Sequence, residues 1–257
     1  MPALAPPHTE VRYARALTKD QAFVLDRDAM AALAFREVKV KEAFTVVDGR
    51  GHTFRASLRR QSAESGEAIA YEELASSPES PARITLVCAV LSRQRMLVVV
   101  QKATELGAVR VVPVFTDHSV KPGDLSHEKP WAWLGQAKKG ARQCRRAVVP
   151  EVWKTAPLEE ILGAEVFREA DARFALDDRA LGSPRLPFPD PAEAPRTRDL
   201  VLVVGPEGGF SDRERALLAA HDVTALALGA RVLRAETAVF AGLSVLQHRF
   251  GDLRTGA

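Results

Sequence analysis

The chain has 257 residues, enough for one large domain or a small domain joined to a medium one. Hydrophobic residues make up 46% and charged residues 27%, which supports a packed core and excludes wholesale disorder; a formal net charge of +3 permits a nucleic-acid partner without requiring one. Two cysteines, Cys88 and Cys144, form neither a disulfide framework nor a metal spacing, the N-terminus lacks the pattern of a signal peptide, and no apolar run is long enough for a bilayer, so a soluble cytoplasmic protein without metal is expected.

In chain order, Asp26 to Phe35 reads as a short alanine-rich helix. Two alternating runs then flank Asp48-Gly49-Arg50-Gly51, a turn signal that suits a β-hairpin. Another strand is expected from Gly66, and the first seventy-odd residues together suggest a small β-rich barrel. Ser76 to Pro81 reads as a linker, giving expected domains at 1–75 and 82–252. Beyond it, Arg83 to Val90 is a continuous apolar run, as in a strand buried on both faces of a parallel sheet. Ser92 can cap the following helix, whose Met96, Val99, Val100, Ala103 and Leu106 share one face, and Gly107 can close it in a left-handed conformation. Next come a strand in VRVVPVF, a helix from Trp131 to Arg146, the VVPEVW segment, a short helix at Leu158 to Leu162 and a strand in RFALDD. Ser183 to Asp199 is proline-rich and reads as a surface loop. A strand, a helix, a strand in TALALG and a final helix complete an α/β domain with a mostly parallel sheet.

Chemistry concentrates at two strand ends. The buried strand Leu200 to Val204 runs into Gly205-Pro206-Glu207-Gly208-Gly209, and Ser211 with Glu214 forms an S-x-x-E capping box that fixes the next helix start. A glycine-rich loop at the C-terminal end of a parallel strand can present backbone groups to a ligand, although glycine content alone favours a plain tight turn. The loop is neither a Walker motif nor G-x-G-x-x-G. In LGARVLRAETA, Arg234 and Glu236 lie where a strand hands over to a helix, and a surface ion pair is the bland reading of them.

Together, GPEGGFS, LGARVLRAETA, QKATELGAVRVVPVFTDHSV and ARQCRRAVVPEV resemble, in order, the motifs of the ribosomal RNA uridine-N3 methyltransferase family of the SPOUT superfamily. The resemblance spans about Arg83 to Phe250. It implies a trefoil-knotted α/β SPOUT domain behind a PUA-like N-terminal barrel, a homodimer, and S-adenosylmethionine (SAM) as cofactor. Carried over by motif, the cofactor residues are Leu176, Val203, Val204, Gly205, Pro206, Glu207, Gly208, Gly209, Leu228, Gly229, Arg231, Val232 and Leu233. The implied reaction is methyl transfer to N3 of a uridine in small-subunit ribosomal RNA. Arg234 would stabilise negative charge on the base, Glu236 would orient Arg234, and Glu207 would attract the sulfonium. The general base is not identified.

Contact with RNA is expected at Arg12 and Arg15, and along a basic stripe on one helical face with Lys138, Lys139, Arg142, Arg145 and Arg146, together with Gln143. The sequence departs from the family pattern around Asp26 to Gly51, where paired histidines are missing and Arg36 stands near the place of a family arginine. A lysine common just after the first strand of the catalytic domain is absent, where this chain has Val90-Leu91-Ser92-Arg93, and Arg142 lies where glutamate is frequent. These departures keep two alternatives open: a SPOUT methyltransferase with another RNA target or atom, and a non-catalytic RNA-binding or assembly factor.

Overall fold

The computed structural model describes residues 9–62, 64–180 and 198–253. The chain divides into two compact units, one of Pro6–Glu79 with Ala137–Val149 and one containing Ser80–Gln136 and Pro150–Ala257. The proline-rich segment expected to be a surface loop lies almost wholly outside the described residues; only its last positions, Arg198 and Asp199, are seen, and they begin a strand.

In the first unit, β1 (Val11–Arg12), β2 (Gln21–Leu25), α1 (Arg27–Phe35), β3 (Ala43–Val47), β4 (Thr53–Gln61) and β5 (Gly66–Glu73) follow in chain order. They make a five-stranded sheet in the order β1-β3-β4-β5-β2, antiparallel except for the β1–β3 pair. The sheet curls into a barrel-like subdomain around Phe23, Leu25, Phe44, Val46, Phe54 and Leu58, all buried. Full burial of each such side chain contributes roughly 1.5–3 kcal/mol. Asp26 caps α1 by accepting the Ala29 N–H at 2.9 Å, and Ala29, Met30 and Leu33 turn one helical face onto this core. The hairpin between β3 and β4 turns on Asp48, whose buried carboxylate accepts N–H groups from Leu17 (2.9 Å), Arg50 (2.8 Å) and His52 (2.9 Å).

Arg36 ends α1 and serves the interior of this unit. Its guanidinium is buried and donates to the carbonyls of Thr9 (3.4 Å), Arg146 (2.7 Å) and Ala147. Glu79 completes the arrangement by accepting from the Arg146 guanidinium at 2.6 and 3.0 Å and from the N–H groups of Ala147 (2.8 Å) and Val148 (3.2 Å).

The second unit continues with β6 (Ala82–Ala89), α2 (Arg93–Glu105), β7 (Arg110–Phe115), the first residues of α3 (Trp133–Gln143, which from Ala137 on belongs to the first unit), β8 (Glu151–Val152), β9 (Ala156–Pro157), α4 (Leu158–Leu162) and α5 (Glu165–Arg168). It ends with β10 (Ala172–Leu176), β11 (Arg198–Val204), α6 (Asp212–Ala220), β12 (Thr224–Leu226) and α7 (Ala235–Phe250). The seven-stranded sheet runs β12-β10-β11-β6-β7-β8, with β9 also on β7, and every pair is parallel. Its central strands are buried and, past their first residues, apolar apart from Thr85, the pattern that continuous apolar runs announce. Two expectations fail in detail. Ser92 precedes α2 but makes no side-chain capping bond. The helix expected to reach Arg146 stops at Gln143, and Arg145 has left-handed backbone (φ 63°).

At the C-terminal end of α2, Gly107 is left-handed (φ +80°), its N–H reaches Thr104 O at 3.1 Å, and Ala108 N–H reaches Ala103 O at 2.9 Å. That pattern is a Schellman closure. Register then positions the site. Leu176 pairs with Val204 on one side and Leu226 on the other, so β10, β11 and β12 reach their C-terminal ends nearly level. The loops that follow these strands therefore emerge side by side.

Candidate active site

Those loops enclose a cleft of about 240 Å³. The cleft is lined by Leu176 to Arg179 after β10, Val204 to Phe210 after β11, and Leu228, Gly229 and Arg231 to Leu233 between β12 and α7. Arg215, Ala235 and Ala238 close it. All the residues expected around a cofactor border this cleft except Val203, which is fully buried in the sheet one residue behind it.

Local sequence explains the shape. After Val204 the chain turns at Pro206, whose carbonyl accepts the Gly209 N–H at 2.9 Å, and Gly209 sits at φ +68°, where a side chain would be strained. A Cβ on Gly208 would lie 2.9 Å from the His118 Cβ, so the loop can pass beneath that histidine only as glycine. The capping box then starts α6: Glu214 N–H donates to Ser211 Oγ (3.2 Å) and Ser211 N–H to Glu214 Oε2 (2.9 Å). Glu214 is buried, and its other oxygen accepts the Asp117 N–H at 2.8 Å, which ties the loop after β7 to this helix start.

One ion pair that the sequence did not signal fixes the floor. Arg215 forks onto both oxygens of Asp177, at 2.6 and 3.3 Å, and also donates to the Phe210 carbonyl. Burial of Asp177 opposes its charge, but the Arg215 hydrogen bonds, the Arg179 N–H and the Arg215 charge together outweigh this and hold its carboxyl below the usual range. Two loops of the cleft are thereby joined.

The residues fit an adenosyl cofactor on chemical grounds. Glycines bring bare backbone donors and acceptors to the walls, and the lining mixes the carboxylates of Asp177, Asp178 and Glu207 with the guanidinium groups of Arg179, Arg215 and Arg231. A family model for the RNA methyltransferase domain matches residues 78–247. The chain belongs to this RNA methyltransferase family. A Legionella pneumophila protein described as a methyltransferase and solved with bound SAM is 30% identical, with 95% of this chain and 99% of that one covered and a TM-score of 0.65. The ribosomal RNA small subunit methyltransferase E of Neisseria gonorrhoeae, also solved with S-adenosyl methionine, is 26% identical over 95% of this chain and 99% of that one, with a TM-score of 0.64. The enzyme of the same name from Aquifex aeolicus is 28% identical over 83% of this chain and 88% of its own length. The α/β fold of SPOUT type expected from the sequence is the one the chain adopts.

Within this RNA methyltransferase domain, the three residues expected to carry chemistry are placed unequally. Glu207 lines the cleft, half-exposed, and is ion-paired with Arg95 of α2. Arg234 is the exposed N-cap of α7 and caps through no side-chain bond. Glu236 does not pair with it among the described residues; its Oε1 faces Arg95 Nε at 3.9 Å, because one residue of helix turns it away from the cleft-facing Ala235. Arg95 and Arg215 went unnoticed in the sequence because nothing in a lone arginine on a helix reveals a partner more than thirty residues away.

The expected RNA contacts also sort by exposure. Arg12, Arg15, Arg142 and Gln143 are exposed. Lys138 is largely covered, paired with Glu37 at 3.2 Å and set 4.3 Å from the Phe35 ring centre. Arg146 is a correction: its side chain is only 3% exposed and is bound by Glu79, so it braces the interior instead of facing phosphate. The expected one-face stripe does not form, since Arg145 and Arg146 lie beyond the end of α3. Among the described residues no group of acidic, histidine or cysteine side chains is arranged to hold a metal, and no helix is long and apolar enough to cross a membrane.

Proposed function

We propose that the chain is a SAM-dependent methyltransferase acting on N3 of a uridine in small-subunit ribosomal RNA, as a cytoplasmic homodimer. One observation carries the reading: three loops, two of them glycine-containing, level at the ends of β10, β11 and β12, wall a single cleft in a chain whose full-length relatives bind SAM. The backbones of Leu176, Gly205 to Gly209 and Leu228 to Leu233 would hold the cofactor. Bound there, it supplies a methyl group on a sulfonium. Glu207 offers that charge a carboxylate at the cleft wall. Arg234, exposed at the start of α7, is assigned to the negative charge left on the base as N3 loses its proton. Such a task needs positioning and electrostatics more than covalent help from the protein. Exposed Arg12, Arg15, Arg142 and Gln143 are assigned to the RNA.

The test is methyl transfer from labelled SAM to small ribosomal subunits that lack this modification, followed by digestion and nucleoside mass spectrometry. N3-methyluridine is the expected product. A different methylated nucleoside would move the target, and SAM binding without transfer to any ribosomal RNA would overturn the assignment.

A further inference from the structure

Arg95 is out of place by the rules of its own helix. It lies in the first turn of α2, which holds no acidic residue, and a cation there opposes the helix dipole. Residues that break a local rule are found where another contact uses them. The contact here is double: Arg95 Nη1 donates to Glu207 Oε1, and Nε stands 3.9 Å from Glu236 Oε1. Glu207 belongs to the cleft-lining loop after β11, whereas Glu236 belongs to the first turn of α7, directly after the other loop. The three side chains are 36%, 44% and 18% exposed in the order Arg95, Glu207, Glu236, and Glu236 Oε2 is buried with no hydrogen-bond partner. One guanidinium thus spans three elements, and two of them flank the cleft.

We propose that Arg95 is a positioning residue that clasps the two cleft loops together through Glu207 and Glu236. The inference rests on the proposed SAM site and adds a residue that does not itself line it. Its consequence runs against simple charge counting. Removing Arg95 leaves two carboxylates unneutralised, which by charge alone would draw a cationic ligand more strongly. The clasp requires the opposite: the loops lose register, and binding weakens for any ligand that needs both.

The experiment compares the wild-type chain, Arg95→Gln and Arg95→Lys by calorimetric titration with SAM, a cation at sulfur, and with S-adenosylhomocysteine, neutral there. Arg95→Gln should bind both about five- to tenfold more weakly, and by the same factor, a scale set by two partly exposed ion pairs. Arg95→Lys should lose less, because it keeps the positive charge, but should still lose some affinity, because an ammonium is a point charge that cannot fork across two carboxylates. Unchanged or tighter SAM binding by Arg95→Gln would overturn the clasp, as would a change confined to SAM, which would mark Arg95 as a charge screen. Thermal unfolding of the same samples reports folding; should Arg95→Gln not fold, unchanged affinities in Arg95→Lys would overturn the proposal equally. If the wild-type chain binds neither ligand, the SAM site itself is wrong, a result distinct from all of these.

Discussion

Replacing Arg215 with alanine removes the forked bond to Asp177 and the bond to the Phe210 carbonyl, and leaves a carboxylate whose side chain is 10% exposed without its cation. Breaking a fully buried pair costs about 3–5 kcal/mol, and an exposed one about 0.2–1 kcal/mol. With Arg215 itself 20% exposed, the site stands nearer the buried limit. We expect a loss of ~2–3 kcal/mol at neutral pH. The three tryptophans, Trp131, Trp133 and Trp153, all belong to the unit that holds this pair, so their fluorescence during urea unfolding reads the right transition. The pH dependence sharpens the test. In the wild-type chain Asp177 has a depressed pKa when folded, so its contribution is present above the unfolded value of about 3.9 and is lost as pH falls through the folded value. In Arg215→Ala, burial remains without the partner and the carboxyl shifts upward, so protonation favours the variant's folded state. The gap between the two proteins should therefore narrow from pH 7 to pH 4. A gap below about 0.5 kcal/mol at pH 7, or one that does not change with pH, would refute this account of the cleft floor.

Arg36→Ala should destabilise the unit of Pro6–Glu79 with Ala137–Val149 by about 3 kcal/mol, since three carbonyls lose a buried charged donor; hydrogen exchange of β4 and β5 amides would read it. Gly208→Ala places a Cβ 2.9 Å from that of His118 and should weaken SAM binding by roughly tenfold while costing only about 1 kcal/mol of stability; Gly135→Ala, where nothing lies within 4 Å, is the matched control. Glu207→Gln should lower SAM affinity more than that of neutral S-adenosylhomocysteine; equal effects on both would remove its assigned role toward the sulfonium. Arg142→Ala should weaken RNA binding and reduce its salt slope by about one unit, whereas conservative loss of affinity without a change in slope would place Arg142 outside the phosphate contacts.

Strands that are buried on both faces declare themselves. Ile84 to Val90, apolar but for Thr85, and Leu200 to Val204 are continuous runs, and both are buried throughout. The start of α6 was equally legible, because a capping box names its own two hydrogen bonds. The short strands β8 and β9 have two residues each and no periodicity to read; only their parallel pairing with β7 defines them. The cleft residues were legible through motif, not through periodicity, since a glycine-rich turn looks the same in sequence with or without a ligand.

Charged side chains were the least legible, and the reason is physical. A guanidinium on a helix pattern is solvated unless a carboxylate elsewhere in the chain comes to meet it, and the partner leaves no mark near the arginine. Arg146 meets Glu79 across 67 positions, Arg215 meets Asp177 across 38, and Arg95 meets Glu207 across 112. In each case the arginine joins segments that the backbone alone would leave independent: the end of α3 to the segment at Glu79, β10 to the loop after β11, and α2 to that same loop. The apolar pattern therefore determines where the strands end, while these pairs determine how firmly the loops beyond them are held. If that division is right, substitutions at Arg95 and Arg215 should perturb cofactor affinity without altering the sheet, whereas polar substitutions at Leu202 or Val203 should lose the sheet and the site together.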